Sequence, residues 1–234
     1  IHPTWIERQQ LKPPLGDGDS LGCDLAIAKL RNSVMGCQPL RLPGKLGLSI
    51  GEKVFLAGFG NLVDGRLGSG NADNSRRMAG ENILDRIVTE ISLTDSEQAG
   101  GLLAFDFDSP SENKNSLGKN SSQAEFDNLS PGDSSELPLA LEVSTAQGDS
   151  GGPLIAKKDG TWRLFGTVSY GSSNSTYGDI SVLTRLSNQT DWIEQYLPYW
   201  PGSKLLNEEG WIESEWIGLM MPFASGWNYN LQLG

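Results

Sequence analysis

The sequence predicts an all-β protein built around a barrel or sandwich core, and two observations carry that prediction. Short segments of alternating apolar residues recur along the chain, and 29 glycines and 12 prolines lie between them. Many short strands joined by turns need such a composition, whereas only residues 191–197 have the apolar spacing of a helix. Apolar residues make up 37% of the 234 residues, enough for one large β domain with or without an appendage.

The individual elements follow from local patterns. Strands are expected at 24–30, 53–58, 83–93, 102–107, 162–170 and 180–186, the last two paired around a Gly/Ser/Asn loop. Residues 109–136 are rich in Ser, Asn, Asp and Gly, which predicts a long surface loop. Residues 199–234 hold four tryptophans in a short span, so we expect a small Trp/Gly-rich appendage there and a single domain at 1–198.

Composition also limits the classes of molecule that the protein is expected to bind. The formal net charge is −11, and an acidic chain repels phosphate backbones, which argues against nucleic acid. The chain has no run of 18 apolar residues, so no membrane span is predicted. It also has no phosphate-loop lysine, so nucleotide binding is unsupported and no cofactor is expected. The cysteines Cys23 and Cys37 could pair in an oxidising compartment or remain buried thiols.

The strongest motif is the run Gly-Asp-Ser-Gly-Gly-Pro-Leu at 148–154. A serine hydroxyl needs a base to take its proton and main-chain N–H groups to stabilise the oxyanion that forms on attack. Glycines beside Ser150 allow the tight bend that turns such N–H groups inward, and Gly148 and Ser150 are the natural donors. Asp149, between them, is expected to form a buried ion pair that holds the loop in shape.

This run resembles the nucleophile motif of the chymotrypsin/trypsin family of serine proteases. Further segments resemble that family in the same order along the chain, at 1–5, 24–30, 39–43, 57–60, 169–171, 184–186 and 191–193. Residues 77–82 and 104–110 are similar to secreted bacterial members with an Asp-Phe-Asp loop. The resemblance covers about residues 1–197.

The resemblance implies a two-barrel chymotrypsin-like fold with an incomplete first barrel, a short C-terminal helix and the Trp-rich tail. It implies a secreted or extracytoplasmic serine endopeptidase that acts on protein or peptide substrates, and we expect a monomer. Ser150 would be the nucleophile, and Asp24 would orient the imidazole of a catalytic histidine. A strand-start aspartate that caps a turn is the alternative for Asp24.

The same resemblance implies a primary specificity pocket. Its residues would be Ser144, Gln147, Ser169, Tyr170, Gly171 and Ser181. Ser144 stands at the pocket base, where a trypsin-type enzyme has an aspartate, and Ser181 stands where the family has a wall glycine. Small or medium uncharged side chains are therefore the expected substrates.

The catalytic base is the missing component. His2 is the only histidine of the chain, and it precedes a proline in a segment that resembles a later, non-catalytic part of the family sequence. We expect His2 to be structural, the sequence to begin inside a longer protein, and this chain alone to be inactive. A non-catalytic homologue that binds protein through the same cleft is the alternative.

A metal site receives weaker support. Asp106, Asp108, Glu112 and Asn113 are oxygen donors of the kind Ca²⁺ prefers, but their spacing matches no known loop. We therefore expect a solvated acidic loop at these positions and no metal.

Overall fold

A computed structural model of the chain consists mainly of antiparallel strands. It describes residues 1–10, 21–28, 30, 39–44, 46–68, 76–88, 100–111, 114–119, 129, 132–172, 174–196, 203–206, 211–214, 218–222 and 228–230. One sheet has the strand order β2-β1-β5-β6-β7-β4-β3. Its strands are β1 Lys53–Gly58, β2 Met78–Ile83, β3 Arg86–Val88, β4 Leu102–Asp106, β5 Pro153–Lys158, β6 Thr161–Gly171 and β7 Ile180–Arg185.

The two edges of this sheet are joined by the chain itself. Strands β2 and β3 are separated only by Leu84 and Asp85, so they are two halves of one bent strand. The Leu84 N–H donates to the Glu52 carbonyl at 2.9 Å on the β1 side, and the Asp85 N–H donates to the Ala104 carbonyl at 3.0 Å on the β4 side. The sheet therefore closes into a barrel, and the all-β prediction is confirmed.

Strand β4 shows how the barrel is covered, because every residue in it is buried. Leu103 and Phe105 face the barrel core, which comprises Leu48, Val54, Leu56, Leu84, Leu103, Phe105, Leu154, Ala156, Phe165, Val168 and Leu183. On the opposite face, Leu102 and Ala104 join a second cluster with Val88, Leu117, Leu129, Ile180 and Val182. This alternation is the two-residue period of a strand buried on both sides.

The second cluster corrects the expectation of a surface loop at 109–136. Leu117 is fully buried and Leu129 is 4% exposed, and both pack on the outside of the barrel. The segment is polar overall, yet its few apolar side chains are the ones that cover β4. The polar composition of this segment therefore gave no indication that some of its residues belong to the core.

The N-terminal residues also differ from expectation. Pro3–Gln9 form a helix, α1, although helical spacing was expected only at residues 191–197. No strand forms in the described part of 24–30, because the main chain there is engaged elsewhere. The Leu25 carbonyl accepts the His2 N–H at 2.8 Å, and the Asp24 carbonyl accepts the Thr184 hydroxyl at 3.1 Å. The strand predicted at 53–58 is confirmed, whereas the one predicted at 83–93 begins earlier and breaks at residues 84–85.

Contacts divide the chain into two units, residues 1–26 with 41–189 and residues 27–40 with 190–234. The second unit holds the helix α2, Thr190–Glu194, as predicted, and a four-stranded sheet. The strands of that sheet are β8 Ser203–Leu205, β9 Ile212–Ser214, β10 Gly218–Pro222 and β11 Asn228–Asn230. The predicted domain division at residue 198 stays a prediction. None of the described helices is long and apolar enough to cross a membrane.

Candidate active site

The predicted nucleophile lies on a tight bend that leads into β5. The Asp149 N–H donates to the Ala146 carbonyl at 3.0 Å, and the Gly152 N–H donates to the Asp149 carbonyl at 2.8 Å. Gly148 has a φ of +99° and Gly151 a φ of +76°, both in the region that favours glycine. Ser150, between them, is exposed. The bend thus presents the hydroxyl to solvent, as the motif predicts.

The main-chain N–H groups of Gly148 and Ser150 complete this loop. Within the described residues, neither of them donates a hydrogen bond to the protein. Their neighbours in the loop are engaged, since the Gly151 N–H donates to the Val168 carbonyl at 2.8 Å. Two free donors beside an exposed hydroxyl are what a site for a developing oxyanion needs.

The Asp149 carboxylate points away from Ser150 and into the protein. It accepts hydrogen bonds from the Gly60 N–H at 2.8 Å and from the Ala146 N–H at 3.0 Å. A Cβ atom on Gly58 or Gly60 would lie 2.0 or 2.5 Å from this carboxylate, so the turn at 58–60 requires glycine. The carboxylate pairs with no cation within the described part of the chain, and the expected ion pair stays a prediction.

Asp24 reaches the same region from a distant part of the sequence. The Ser169 hydroxyl donates to the Asp24 carboxylate at 2.7 Å. Ser169 follows Val168 in β6. The Val168 carbonyl accepts the Gly151 N–H at 2.8 Å, and the Val168 N–H donates to the Gly152 carbonyl at 2.9 Å. Asp24 and the loop that carries Ser150 are therefore both bonded to the same end of β6.

A cavity of about 330 Å³ opens beside Ser150. The predicted pocket residues that line it are Gln147, Ser169, Tyr170 and Gly171. Ser144 and Ser181 do not line this cavity but lie behind it. Their hydroxyl oxygens are 3.2 Å apart.

Thr145 lines the cavity and contacts Ser181, which is buried. Its N–H and its hydroxyl both donate to the Ser181 Oγ, at 3.1 and 2.9 Å. Its carbonyl accepts the Ser175 hydroxyl at 3.1 Å, and both Thr145 and Ser175 line the cavity. Sequence reasoning missed these two residues. Thr145 has a signal, since it follows Ser144 in the motif region, whereas Ser175 lies in a polar loop that offers none.

His2 has a structural position, in agreement with the expectation. It caps the N-terminus of α1, and its Nδ1 accepts the Thr4 N–H at 3.3 Å. The residue is 6% exposed, and burial lowers the pKa of its imidazole. Gln189 is a side-chain hydrogen-bond partner that opposes this shift. An imidazole held in this way is not placed to serve Ser150.

Two further predictions concern cysteine and metal. Cys23 is buried, its Sγ lies 3.7 Å from the Leu21 carbonyl oxygen, and burial raises the pKa of its thiol to about 11, while Cys37 lies outside the described residues. Asp106 and Asp108 are buried, so the expectation of a solvated acidic loop is wrong for both of them. Glu112 and Asn113 lie outside the described residues. Among the described residues, no group of three or more His, Cys, Asp or Glu has an arrangement that could hold a metal ion.

Comparison with known proteins supports the geometry. Residues 119–193, which contain the nucleophile loop, the cavity strand β6 and β7, match the Trypsin family model. This segment is trypsin-like. Over 57 residues the chain is 44% identical to spermosin from Halocynthia roretzi, a match that covers 24% of this chain and 15% of the relative. The aligned stretch thus spans far less than two thirds of that relative.

The trypsin-like segment makes the barrel chymotrypsin-like, as the resemblance implies, and supports a serine peptidase family in general. Spermosin from Halocynthia roretzi is not a bacterial protein, so the expected similarity to secreted bacterial members stays a prediction.

Proposed function

We propose that the chain belongs to a serine endopeptidase in which Ser150 is the nucleophile and Asp24 the orienting acid. The observation that carries this proposal is the hydrogen bond from Ser169 to the Asp24 carboxylate at the cavity that Ser150 borders. A turn-capping aspartate would satisfy its own neighbours in sequence, whereas this carboxylate is bound by a residue of β6. The same cavity edge therefore holds the nucleophile and the acid.

The chemistry would follow the acyl-enzyme route. The Ser150 oxygen attacks the peptide carbonyl carbon while a base accepts its proton, and the N–H groups of Gly148 and Ser150 stabilise the oxyanion. The base then gives that proton to the leaving amine, and water hydrolyses the ester in a second round. Asp24 would hold the base in the correct tautomer and stabilise its cation.

The base itself is proposed to come from outside this sequence. His2 is the only histidine in the 234 residues, and it is committed to capping α1. We propose that an imidazole from a preceding segment bridges the Asp24 carboxylate and the Ser150 hydroxyl. We also propose that the protein acts outside the cytoplasm, as a monomer, on protein or peptide substrates.

The substrate slot favours small or medium uncharged side chains. Ser144 supplies no counter-ion for a lysine or arginine, and the hydroxyls of Ser181 and Thr145 bond to each other rather than to solvent. Ser181 is 1% exposed, so it acts on the slot by fixing Thr145. Removing its hydroxymethyl group in Ser181→Gly is expected to deepen the slot and to shift preference toward longer side chains.

The decisive experiment compares the 234-residue chain with a longer parent chain, if the gene encodes a histidine-bearing segment before Ile1. We expect ester hydrolysis by the parent, its loss in Ser150→Ala, and no turnover by the 234-residue chain. Turnover by the 234-residue chain that depends on Ser150 would refute the external base.

The second candidate is a non-catalytic homologue that binds protein in the cleft. The observation that favours it is the structural commitment of the only histidine in the sequence. A parent without any histidine upstream, which binds peptide but fails to hydrolyse it, would decide for this candidate. The presence of both Ser150 and Asp24, with the Asp24 carboxylate bonded by Ser169 of the cavity, favours the enzyme.

A further inference from the structure

Behind the substrate slot, four carboxyl groups lie together on the outer side of the barrel. They belong to Asp85, Asp106, Asp108 and Glu142. The Asp106 N–H donates to the Asp85 carboxylate at 3.1 Å, and the Asp108 N–H donates to the Glu142 carboxylate at 2.6 Å. The three aspartates are at most 6% exposed, and Glu142 is half-buried. We call these four residues the carboxyl cluster.

The cluster is held by neutral donors. Asp85 accepts the Ser134 hydroxyl at 2.8 Å, Asp106 accepts the Leu117 N–H at 2.7 Å, and Glu142 accepts the Leu139 N–H at 2.6 Å. Asp108 differs, because its Oδ1 is buried and has no hydrogen-bond partner among the residues that the structure describes.

One cation lies at the same corner of the barrel. The Arg86 guanidinium donates to the main-chain carbonyl oxygens of Asp85, Leu117 and Asp133. Burial of several carboxyl groups at close range disfavours full ionisation, so protons must neutralise part of the cluster.

Asp108 retains its proton to a higher pH than an ordinary aspartate does. Burial raises its pKa to about 8, and the negative charges of Asp106, Glu142, Asp85 and Glu136 add to the effect. Burial also raises the pKa values of the other three members, and Glu81 adds to the effect at Glu142. Near neutral pH, a protonated Asp108 therefore faces partners that are partly ionised.

The cluster connects directly to the slot. Glu142 holds Leu139 and Asp108 through its two carboxylate oxygens, and it is followed by Val143 and by Ser144 behind the slot. On the other side, Phe107 exchanges main-chain hydrogen bonds with 178–179, to Asp179 at 3.0 Å and from Gly178 at 2.7 Å. Any movement of residues 106–108 is thus transmitted to both segments that flank Thr145.

We propose that the carboxyl cluster is a proton-operated clamp, which holds residues 139–145 against β4 when Asp108 is protonated and loosens them when Asp108 ionises. The clamp is a property of the barrel. Its effect on substrates rests on the proposed function, because only then is the cavity beside Ser150 a substrate slot.

The sign of the pH dependence follows from the proton count. An unfolded aspartate loses its proton near pH 4, whereas folded Asp108 keeps it to about pH 8. Between these values the folded chain binds more protons than the unfolded chain, so stability falls as pH rises through this window. The contribution is fully present below the unfolded pKa and is lost above the folded one.

The test uses the 234-residue chain, with thermal unfolding measured from pH 5 to pH 9. In Asp108→Asn the side chain cannot ionise, so we expect the decline of Tm between pH 6 and pH 9 to be smaller than in the wild type by about 3 °C or more. Asp159→Asn makes the same change at an exposed turn and is expected to follow the wild type. An equal decline in Asp108→Asn and the wild type would overturn the proposal.

A second measurement serves if Asp108→Asn does not fold. Carboxyl ¹³C shifts and amide shifts of the wild type are followed against pH, and we expect Asp108, Val143 and Ser144 to share a midpoint near pH 8. Titration of Asp108 below pH 5 would overturn the clamp, and so would static amides at 143–145. Recovery of the lost Tm at pH 9 on adding CaCl₂ would instead identify a cation site. None of these readouts needs turnover, so their failure leaves the proposed protease activity untouched.

Discussion

Replacing Asp149 by asparagine tests how the nucleophile loop is held. The carboxylate accepts the N–H groups of Gly60 at 2.8 Å and Ala146 at 3.0 Å, one on each oxygen. An amide has one acceptor oxygen, so its NH₂ group must face one of these two donors. Losing one charge-assisted hydrogen bond and leaving its N–H donor without an acceptor together cost about 3 kcal/mol. We expect the free energy of unfolding of Asp149→Asn to fall by that amount.

Urea unfolding followed by circular dichroism measures this change, since the midpoint falls while the denaturant slope is unchanged. Asp64→Asn is the matched control. Within the described residues the Asp64 carboxylate accepts one hydrogen bond, from the Arg66 N–H at 2.8 Å, at an exposed turn, and asparagine retains an oxygen for it. The control is expected to stay within about 0.5 kcal/mol of the wild type. A similarly small effect in Asp149→Asn would refute the account of the loop.

Two further substitutions test the packing. Leu117→Ala is expected to lower the free energy of unfolding by about 2–5 kcal/mol, because Leu117 is fully buried. The control Leu137→Ala, at a site 78% exposed, is expected to change it by about 0.5 kcal/mol or less, and equal urea midpoints for the two variants would show that Leu117 is not part of the core. Gly60→Ala places a Cβ 2.5 Å from the Asp149 carboxylate and is expected to destabilise the chain by about 1–3 kcal/mol, whereas Gly47→Ala, whose nearest neighbour is 3.5 Å away, is tolerated. Indistinguishable unfolding curves for the two glycine variants would contradict the close approach.

Local sequence patterns predicted the elements whose conformation depends mainly on residues that are close together in the sequence. Strand β1 alternates buried and more exposed residues over its first four positions, and its predicted bounds are the observed ones. The Gly-Asp-Ser-Gly-Gly run likewise predicted the bend around Ser150, because the positive φ values of Gly148 and Gly151 are a local property.

What the sequence could not show depends on distant contacts. The segment 24–30 has a strand-like pattern, yet no described strand runs beside it, and its Asp24 is bonded instead by Ser169 and Thr184. Leu117 sits in a polar segment, and only the position of β4 makes it a core residue. Ser175 gave no signal, because its bond to the Thr145 carbonyl depends on the fold of a loop.

The closure of the barrel has a consequence for how the chain folds. Phe55 of β1 pairs with Ile155 of β5, so ring closure joins segments that are far apart in sequence, which slows folding. The bend carrying Ser150 leads straight into β5, which begins at Pro153. Its shape is complete only after β5 has paired with β1. We therefore expect the bend at Ser150 to form late in folding, in the same cooperative step as this long-range pairing.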